Sequence, residues 1–471
     1  MAKFRSTQAK KTVVNHAGGE AFSQDPKLEL VSLLLTSFVN DKFYEKAADQ
    51  LDRLEKLTAQ IKDKTFVAKA AIFARKEYGM RSITHALIGE LVHEVKGTEW
   101  VKRAVEKTVN RPDDILEMVA YYANKYGKPI PNSLKKGAAL ALNQFDSYQL
   151  GKYRGERSDV KMVDIFNLFH PKPSKRNGEA FKALVDGELK TTGTTWEAKL
   201  SEAGKAESDE SVADLKKEAW GSLLKEGKLG YMALLKNLRN IEQQAPESLD
   251  LALNRLVDPA AIKKSMVLPF RFNTAAKEVT QRKTLDALND AFEIALANVP
   301  KFDGKTLIAL DCSGSMQGAP MEIGSLFSAV LHKANPDADF MRFGDHAEYV
   351  NLSSRDSALS IAKSMRADLG GTDFKTIFYA ADKKYDRVIV LSDMQGWMGY
   401  NAPTGALAAY EQKLGAKPFI YSFDLAGHGT LQFPQERVFA IAGFSEKCFD
   451  LFKALEEDRN ALIHKIEAIA L

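Results

Sequence analysis

Through residues 1–300, apolar positions recur at three- and four-residue spacing. The runs PKLELVSLLLTSFV, FVAKAAIFARKEYGM, DDILEMVAYYANKYG and KTLDALNDAFEIALANV each lay an apolar stripe along a helix of 3.6-residue period. Alternating β-branched residues are rare there. Breaks fall at Gly79, Gly97, Pro112, Gly127-Lys128-Pro129, Pro171-Lys172-Pro173 and Pro246. Stacked antiparallel helix pairs satisfy this pattern. No fixed repeat period emerges, so a regular solenoid is not established. The polar, acidic stretch SEAGKAESDES at 201–211 reads as an exposed loop.

At Lys301 the pattern changes. The apolar run Lys305–Leu310 enters a Ser/Gly turn, and a helical pattern, PMEIGSLFSAVLHKA, follows. Strand-like runs come at Asp339–Phe343, Glu348–Leu352, Asp386–Leu391 and Lys417–Phe423, with helical runs SALSIAKSMRA and GALAAYEQKLGA between them. Alternating strands and helices predict a mostly parallel, doubly wound sheet covered on both faces. The expected architecture is an all-α helical-repeat module over 1–300 and an α/β domain over 301–471. Ligands of doubly wound sheets bind outside the carboxyl ends of the strands.

Charge separates the same two parts. Residues 1–300 hold 48 Lys and Arg against 40 Asp and Glu, while residues 301–471 hold 18 against 22. The excess concentrates between Lys125 and Arg176, with 11 basic residues against 4 acidic. Such a block fits a polyanion partner or a solvated face. No apolar run reaches the roughly 18 residues of a membrane span, and the basic start MAKFRSTQAKK has no apolar stretch behind it. Two cysteines, Cys312 and Cys448, make no disulfide framework. These features predict a cytoplasmic protein without membrane attachment.

The first strand of the α/β part ends in Asp311-Cys312-Ser313-Gly314-Ser315. Asp311, Ser313 and Ser315 stand two residues apart, and Gly314 lets the loop turn tightly. Gly370-Gly371-Thr372-Asp373 adds a hydroxyl, and Leu391-Ser392-Asp393 ends a second apolar strand with a carboxylate. Two carboxylates and three hydroxyls make an open oxygen site for a hard cation such as Mg²⁺. Cys312 alternates away from its neighbours and reads as packing. No nucleophile triad, P-loop or second metal cluster is visible, so no catalytic residue is assigned.

These residues resemble the metal-ion-dependent adhesion site of von Willebrand factor type A domains, with Asp311, Ser313, Ser315, Thr372 and Asp393 on its five positions. The resemblance implies partner binding through a metal, usually Mg²⁺. Ahead of it, TVVNHAGGEAF, FVAKAAIFARKEYGMRS, Trp196-Glu197, YMALLKNLR and VLPFRF look like a TROVE module. TROVE followed by a type A domain is the layout of the Ro 60 kDa autoantigen family. Membership implies a ring of HEAT-like helical repeats closed by the type A domain, acting as a monomer. It implies binding of single-stranded 3′ ends of misfolded RNA in a central hole and of small structured Y RNA on a basic outer surface. It also implies an exoribonuclease as a partner in RNA quality control.

The basic block fits that expectation on its own residues. Lys152, Arg154 and Arg157 precede a helix predicted to start at Ser158, with Lys161 in its first turn, where backbone N–H groups favour a phosphate. His170, Lys172, Lys175 and Arg176 follow that helix. Lys136, opening another predicted helix, and Arg271, between Phe270 and Phe272, complete the candidate RNA contacts. A second reading is a protein-interaction adaptor that recruits partners through the metal site, with RNA incidental.

Overall fold

The structure is a computed structural model that describes residues 12–14, 20–22, 25–36, 47–95, 97–155, 159–189, 196–205, 208–265, 267, 269–299, 301–353, 355–396, 403–425, 438–441 and 461–471. A short antiparallel pair, β1 (Thr12–Val14) and β2 (Glu20–Phe22), precedes the helices. The first group is α1 (Pro26–Thr36), α2 (Ala47–Gln60), α3 (Lys64–Glu77), α4 (Ser82–Glu94), α5 (Glu99–Thr108), α6 (Pro112–Tyr126), α7 (Asn132–Leu142), α8 (Ser147–Lys152), α9 (Met162–Phe169) and α10 (Gly178–Val185). The second is α11 (Trp196–Ala203), α12 (Asp209–Lys225), α13 (Tyr231–Gln244), α14 (Leu249–Leu256), α15 (Pro259–Ser265), α16 (Pro269–Ala276) and α17 (Arg282–Ala295).

Local chemistry sets the helix ends. The Asp63 carboxylate accepts from Phe66 N at 3.1 Å and caps α3. Pro112 starts α6, where a missing N–H costs nothing, and Gly127 ends it at φ 72°. α5 and α7 cross closely because Gly137 has no Cβ, which would otherwise meet the Lys102 carbonyl and Val105.

One buried charge network ties α3, α4 and α6 together. The Arg75 guanidinium forks onto Asp114, with Nε at 3.1 Å and Nη2 at 2.9–3.0 Å. Asp114 also accepts from Asn110 N and Arg111 N at 2.8 and 2.9 Å. His85 lies between Asp114, at 3.2 Å, and Glu117, at 2.6 Å, and is 1% exposed. Burial alone would lower the His85 pKa, but Asp114 and Glu117 hold the ring charged and raise it above 6.5. Burial alone would raise Asp114, yet His85 and then Arg75 hold it well below the usual carboxylate range.

The sheet order is β5 (Ala347–Tyr349), β4 (Asp339–Phe343), β3 (Thr306–Asp311), β6 (Arg387–Ser392), β7 (Phe419–Asp424), β8 (Val438–Ile441). All pairs are parallel except β4 with β5. Alternate residues divide the faces. Ile308, Leu310, Ile389 and Leu391 join α18 (Ala319–Ala334) and α19 (Ala358–Ser364) in a core that continues into the helical module. Leu307, Ala309, Val388 and Val390 face α20 (Lys375–Ala380) and α21 (Thr404–Leu414) in a separate cluster.

The doubly wound domain and the helical repeats match the architecture expected. β5 is shorter than the predicted run, ending at Tyr349. The loop expected at 201–211 is corrected. Ser201–Ala203 close α11 and Asp209–Ser211 open α12, because the Ser208 hydroxyl accepts from Ser211 N at 3.2 Å and caps the second helix. The helix expected from Ser158 starts instead at Met162, since the Asp164 carboxylate accepts from Lys161 N at 2.9 Å. Cys448 lies outside the described residues. Among the described residues, no helix is long and apolar enough to cross a membrane.

Asp114→Ala should cost about 3–5 kcal/mol in urea denaturation, because it leaves Arg75 and His85 charged and buried without their partner. The His85 contribution has a sign set by its raised folded pKa: present in full below the ordinary 6.5 and lost as pH rises through the folded value. The stability gap between the natural protein and His85→Gln should therefore be larger at about pH 5.5 than at about pH 9. A gap that does not change would show that the ring is not charged.

Candidate metal loop and basic surface

Three loops meet at the carboxyl edge of the sheet. Cys312 N donates to Phe343 O at 2.8 Å, Leu369 N to Cys312 O at 2.9 Å, and Gly314 N to Gly370 O at 2.8 Å. Gly370 sits at φ 66°, and a Cβ there would strike the Asp345 carboxylate, so glycine is required twice over. These bonds carry Thr372 across the chain to the 311–315 loop. Thr372 Oγ1 donates to Ser313 Oγ at 2.8 Å, and the hydroxyls of Ser313 and Ser315 lie 3.1 Å apart. Adjacent ligands of an octahedral ion at about 2.1 Å stand about 3.0 Å apart. The hydroxyl spacing therefore fits two edges of a Mg²⁺ coordination shell.

The carboxylates complete the donor set. Asp311 is fully buried, accepting from Ser392 Oγ at 2.5 Å and Ser313 N at 2.9 Å. Burial, and then the neighbouring Asp393 charge, push its carboxyl up to about 7. Asp393 Oδ1 accepts from Gln395 N at 3.2 Å. Two buried acids held against each other are relieved by a cation between them. Ser313, Thr372 and Asp393 are buried, while Ser315 is exposed and leaves one side of the set open. Among the described residues no three His, Cys, Asp or Glu form a metal cluster, so any cage here would combine the two carboxylates with hydroxyls and water. Burial pushes the neighbouring Cys312 thiol up to about 11, with Arg342 Nε 3.5 Å from its sulfur. Ser392, which holds Asp311, was visible in the sequence only as the residue before Asp393.

The basic candidates divide into places. Lys172, Lys175 and Arg176 are exposed on the 170–177 loop. That loop is pinned to the end of α7: Asn143 Nδ2 donates to Lys172 O at 3.0 Å and Asn143 Oδ1 accepts from Ser174 N at 2.9 Å. Buried Asn177 donates to Asn143 O and Phe145 O at 3.1 and 2.9 Å. Lys152 and Lys161 are also exposed, Arg154 is half-buried, and Arg157 lies outside the described residues. Exposed His170 ends α9 in the left-handed region at φ 47°. At the α9 N-terminus, where a phosphate site is expected, the Asp164 carboxylate accepts from one N–H, that of Lys161, at 2.9 Å. Lys136 stands about 10 Å back along α7 from Asn143. Arg271 is remote from this loop in sequence and element, in a groove of about 260 Å³ between α13 and α16 with Lys236 and Arg239. Not every base of the block is displayed: Lys125 is held by Glu55 and Glu90 at 2.8 and 2.9 Å. Arg111, paired with Asp113 at 2.7 Å, also reaches this block. The Arg111 guanidinium stacks 4.4 Å over the Tyr153 ring, and Lys152 lies 5.8 Å from the same ring. Its position 42 residues upstream in the sequence gave no signal.

Comparison with known proteins agrees with this division of the chain. Residues 19–216 and 191–291 match the TROVE domain, and residues 305–455 match the Ro60 vWA domain. The RNA-binding protein RO60 of Deinococcus radiodurans is 30% identical over 251 residues, 46% of this chain and 47% of that protein. The chain thus aligns with about half the length of that curated relative. Telomerase protein component 1 of Mus musculus is 20% identical over 330 residues, 54% of this chain but 13% of that protein. The crystal structure of the Deinococcus radiodurans RO (RSR) protein superimposes with a TM-score of 0.64 at 19% identity, covering 89% of this chain and 97% of that one.

Asn177→Ala removes the donor that holds the basic loop, so it should cost about 1–3 kcal/mol. Amide hydrogen exchange over residues 172–176 should rise with it, while α3 and α6 keep their protection. Unchanged exchange in the loop would mean that the asparagine does not hold it.

Proposed function

The chain belongs to the TROVE family in its Ro60 layout, and from that premise we propose that it is a non-enzymatic RNA-binding ring. It takes single-stranded 3′ ends of misfolded RNA in its central hole and small structured, Y-like RNA on its outer basic surface. It serves RNA quality control in the cytoplasm, with an exoribonuclease as the partner that acts on the captured end. The observation that carries the reading is the pinned loop with Lys172, Lys175 and Arg176 exposed. Folded RNA is recognised chiefly through shape and phosphates, and a pinned loop backbone presents exposed cations with little backbone ordering cost at binding. The name of the Deinococcus relative points the same way.

The metal loop is the second part of the proposal. Mg²⁺ bound by Ser313, Ser315 and Thr372, with Asp311 and Asp393 behind them, would carry little neutralising charge from its ligands. It would stay able to accept an acidic oxygen from a protein partner. The chain's own residues supply the rest: Ser392 orients Asp311, and the Gly370 backbone holds Thr372 in register.

A gel shift over a salt series compares a duplex carrying a single-stranded 3′ tail with the blunt duplex. Tailed RNA should bind at least about tenfold tighter, and both should weaken steeply with salt. Equal weak binding would sink the ring-and-hole reading and leave the adaptor one. Lys172→Glu with Lys175→Glu and Arg176→Glu should weaken structured-RNA binding by about tenfold or more while sparing the tail. For the metal, Mn²⁺ binding followed by electron paramagnetic resonance should weaken by about tenfold or more in Thr372→Val and in Asp393→Ala. Equal affinity in all three proteins would place the ion elsewhere.

A further inference from the structure

A linear chain closed into a ring has one joint that no covalent bond crosses. Following the chain from α1 to the end of the helical module, every link is covalent, including that from α17 through the turn Leu296–Asn298 into β3. Packing and charge reinforce that side: Glu293 accepts from Ala358 N at 2.8 Å and pairs with Lys333 at 3.5 Å, and Lys277 pairs with Glu322. The ring closes where α22 (Ala461–Glu467) lies against α3 and β8 runs beside α1.

The α22 side of this joint has a distinctive composition. Leu462 and Ile466 are its buried apolar contacts. Around them stand three lysines from three helices. Lys27 of α1 pairs with Glu467 at 2.7 Å. Lys69 of α3 donates to the Glu467 carbonyl at 2.6 Å, and Lys107 of α5 donates to the Ala470 carbonyl at 2.7 Å. The Glu467 carbonyl carries the negative end of the helix dipole, which favours a cation there, and Ala470 lies three residues beyond the helix. Lys465 answers in the opposite direction, 5.6 Å from the Phe73 ring. Lys27 and Glu467 keep 27% and 41% of their side-chain surface in solvent, so salt screens the pair.

We propose that Lys27, Lys69 and Lys107 form a charge-based lock on α22, and that this joint is the gate through which the ring opens. This rests on the RNA-binding ring reading and deepens it. With the lock shut, RNA enters only by threading a free end. With the lock open, a strand without ends is admitted sideways. The gate therefore sets which RNA topology the ring accepts, and an acidic or salt-like competitor for the three lysines opens it.

Two readouts on the full chain decide the matter. The first needs no RNA. Hydrogen exchange of the α22 amides should rise at least about tenfold between 0.1 and 1 M NaCl. In Lys27→Glu/Lys69→Glu/Lys107→Glu it should already be high at low salt, while α6 keeps its protection and reports an intact fold. Exchange indifferent to both salt and substitution overturns the lock. The second compares one single-stranded sequence in linear and circular form. The natural protein should prefer the linear form by about tenfold, and the triple variant should bind both within about twofold. Lys27→Glu with Glu467→Lys, which restores one pair with its charges exchanged, should return part of the preference. If circles bind as well as linear RNA to the natural protein, the gate is overturned. If neither form binds, the RNA reading fails, while the exchange result still decides the lock.

Discussion

A parallel sheet must be covered on both faces, and here one of the two covers is shared with another module. Residues alternating along β3 and β6 face opposite ways. One set meets α20 and α21 in a core of its own. The other meets α18 and α19 in a core that runs on into α17 and the helices before it. Because side chains in such a core are close-packed, the sheet cannot shift without disturbing the helical module. That shared cover fixes the carboxyl edge of the sheet, and hence the metal loop, against the ring.

Charge is used in two opposed ways. Inside the helical module, Arg75, His85 and Asp114 are buried against one another, and His85 also bonds Glu117. Removing any one strands the rest in a medium of low polarity. They hold α3, α4 and α6 in place and are closed to a ligand. On the 170–177 loop the cations face water while the polar backbone beneath is satisfied by Asn143 and Asn177. A fixed backbone with exposed charge suits a phosphate surface, since long lysine side chains remain free to adjust. The metal loop lies between these cases. Its acids are buried like the network, but they repel each other and have hydroxyls where the network has cations.

The division between sequence and tertiary structure follows from the range of the forces involved. Periodicity identified most helices and strands and the change of architecture near residue 301, because helix and strand spacing is a local property. The candidate loop at the carboxyl edge of the sheet was partly legible for the same reason. Asp311, Ser313 and Ser315 are neighbours, and the parallel-sheet rule places Asp393 at the same edge, whereas Thr372 reaches it through the backbone bond of Gly314 N to Gly370 O. What spacing could not show was the occupancy of each polar group. Ser208 and Asp164 moved two helix ends by capping, a choice settled by single side-chain hydrogen bonds. The short strand β8 and the pair β1–β2 carried too few residues to establish a period. Lys125 and Lys172 look alike in sequence. Only packing decides that the first is held by Glu55 and Glu90 and the second faces solvent. Likewise, no local pattern joins Lys27, Lys69 and Lys107 to Glu467 and Ala470, hundreds of residues away. The sequence by itself determined the elements and the two architectures. The tertiary structure alone decided which charges are sealed, which are displayed and where the ring closes, because those depend on contacts between residues remote along the chain.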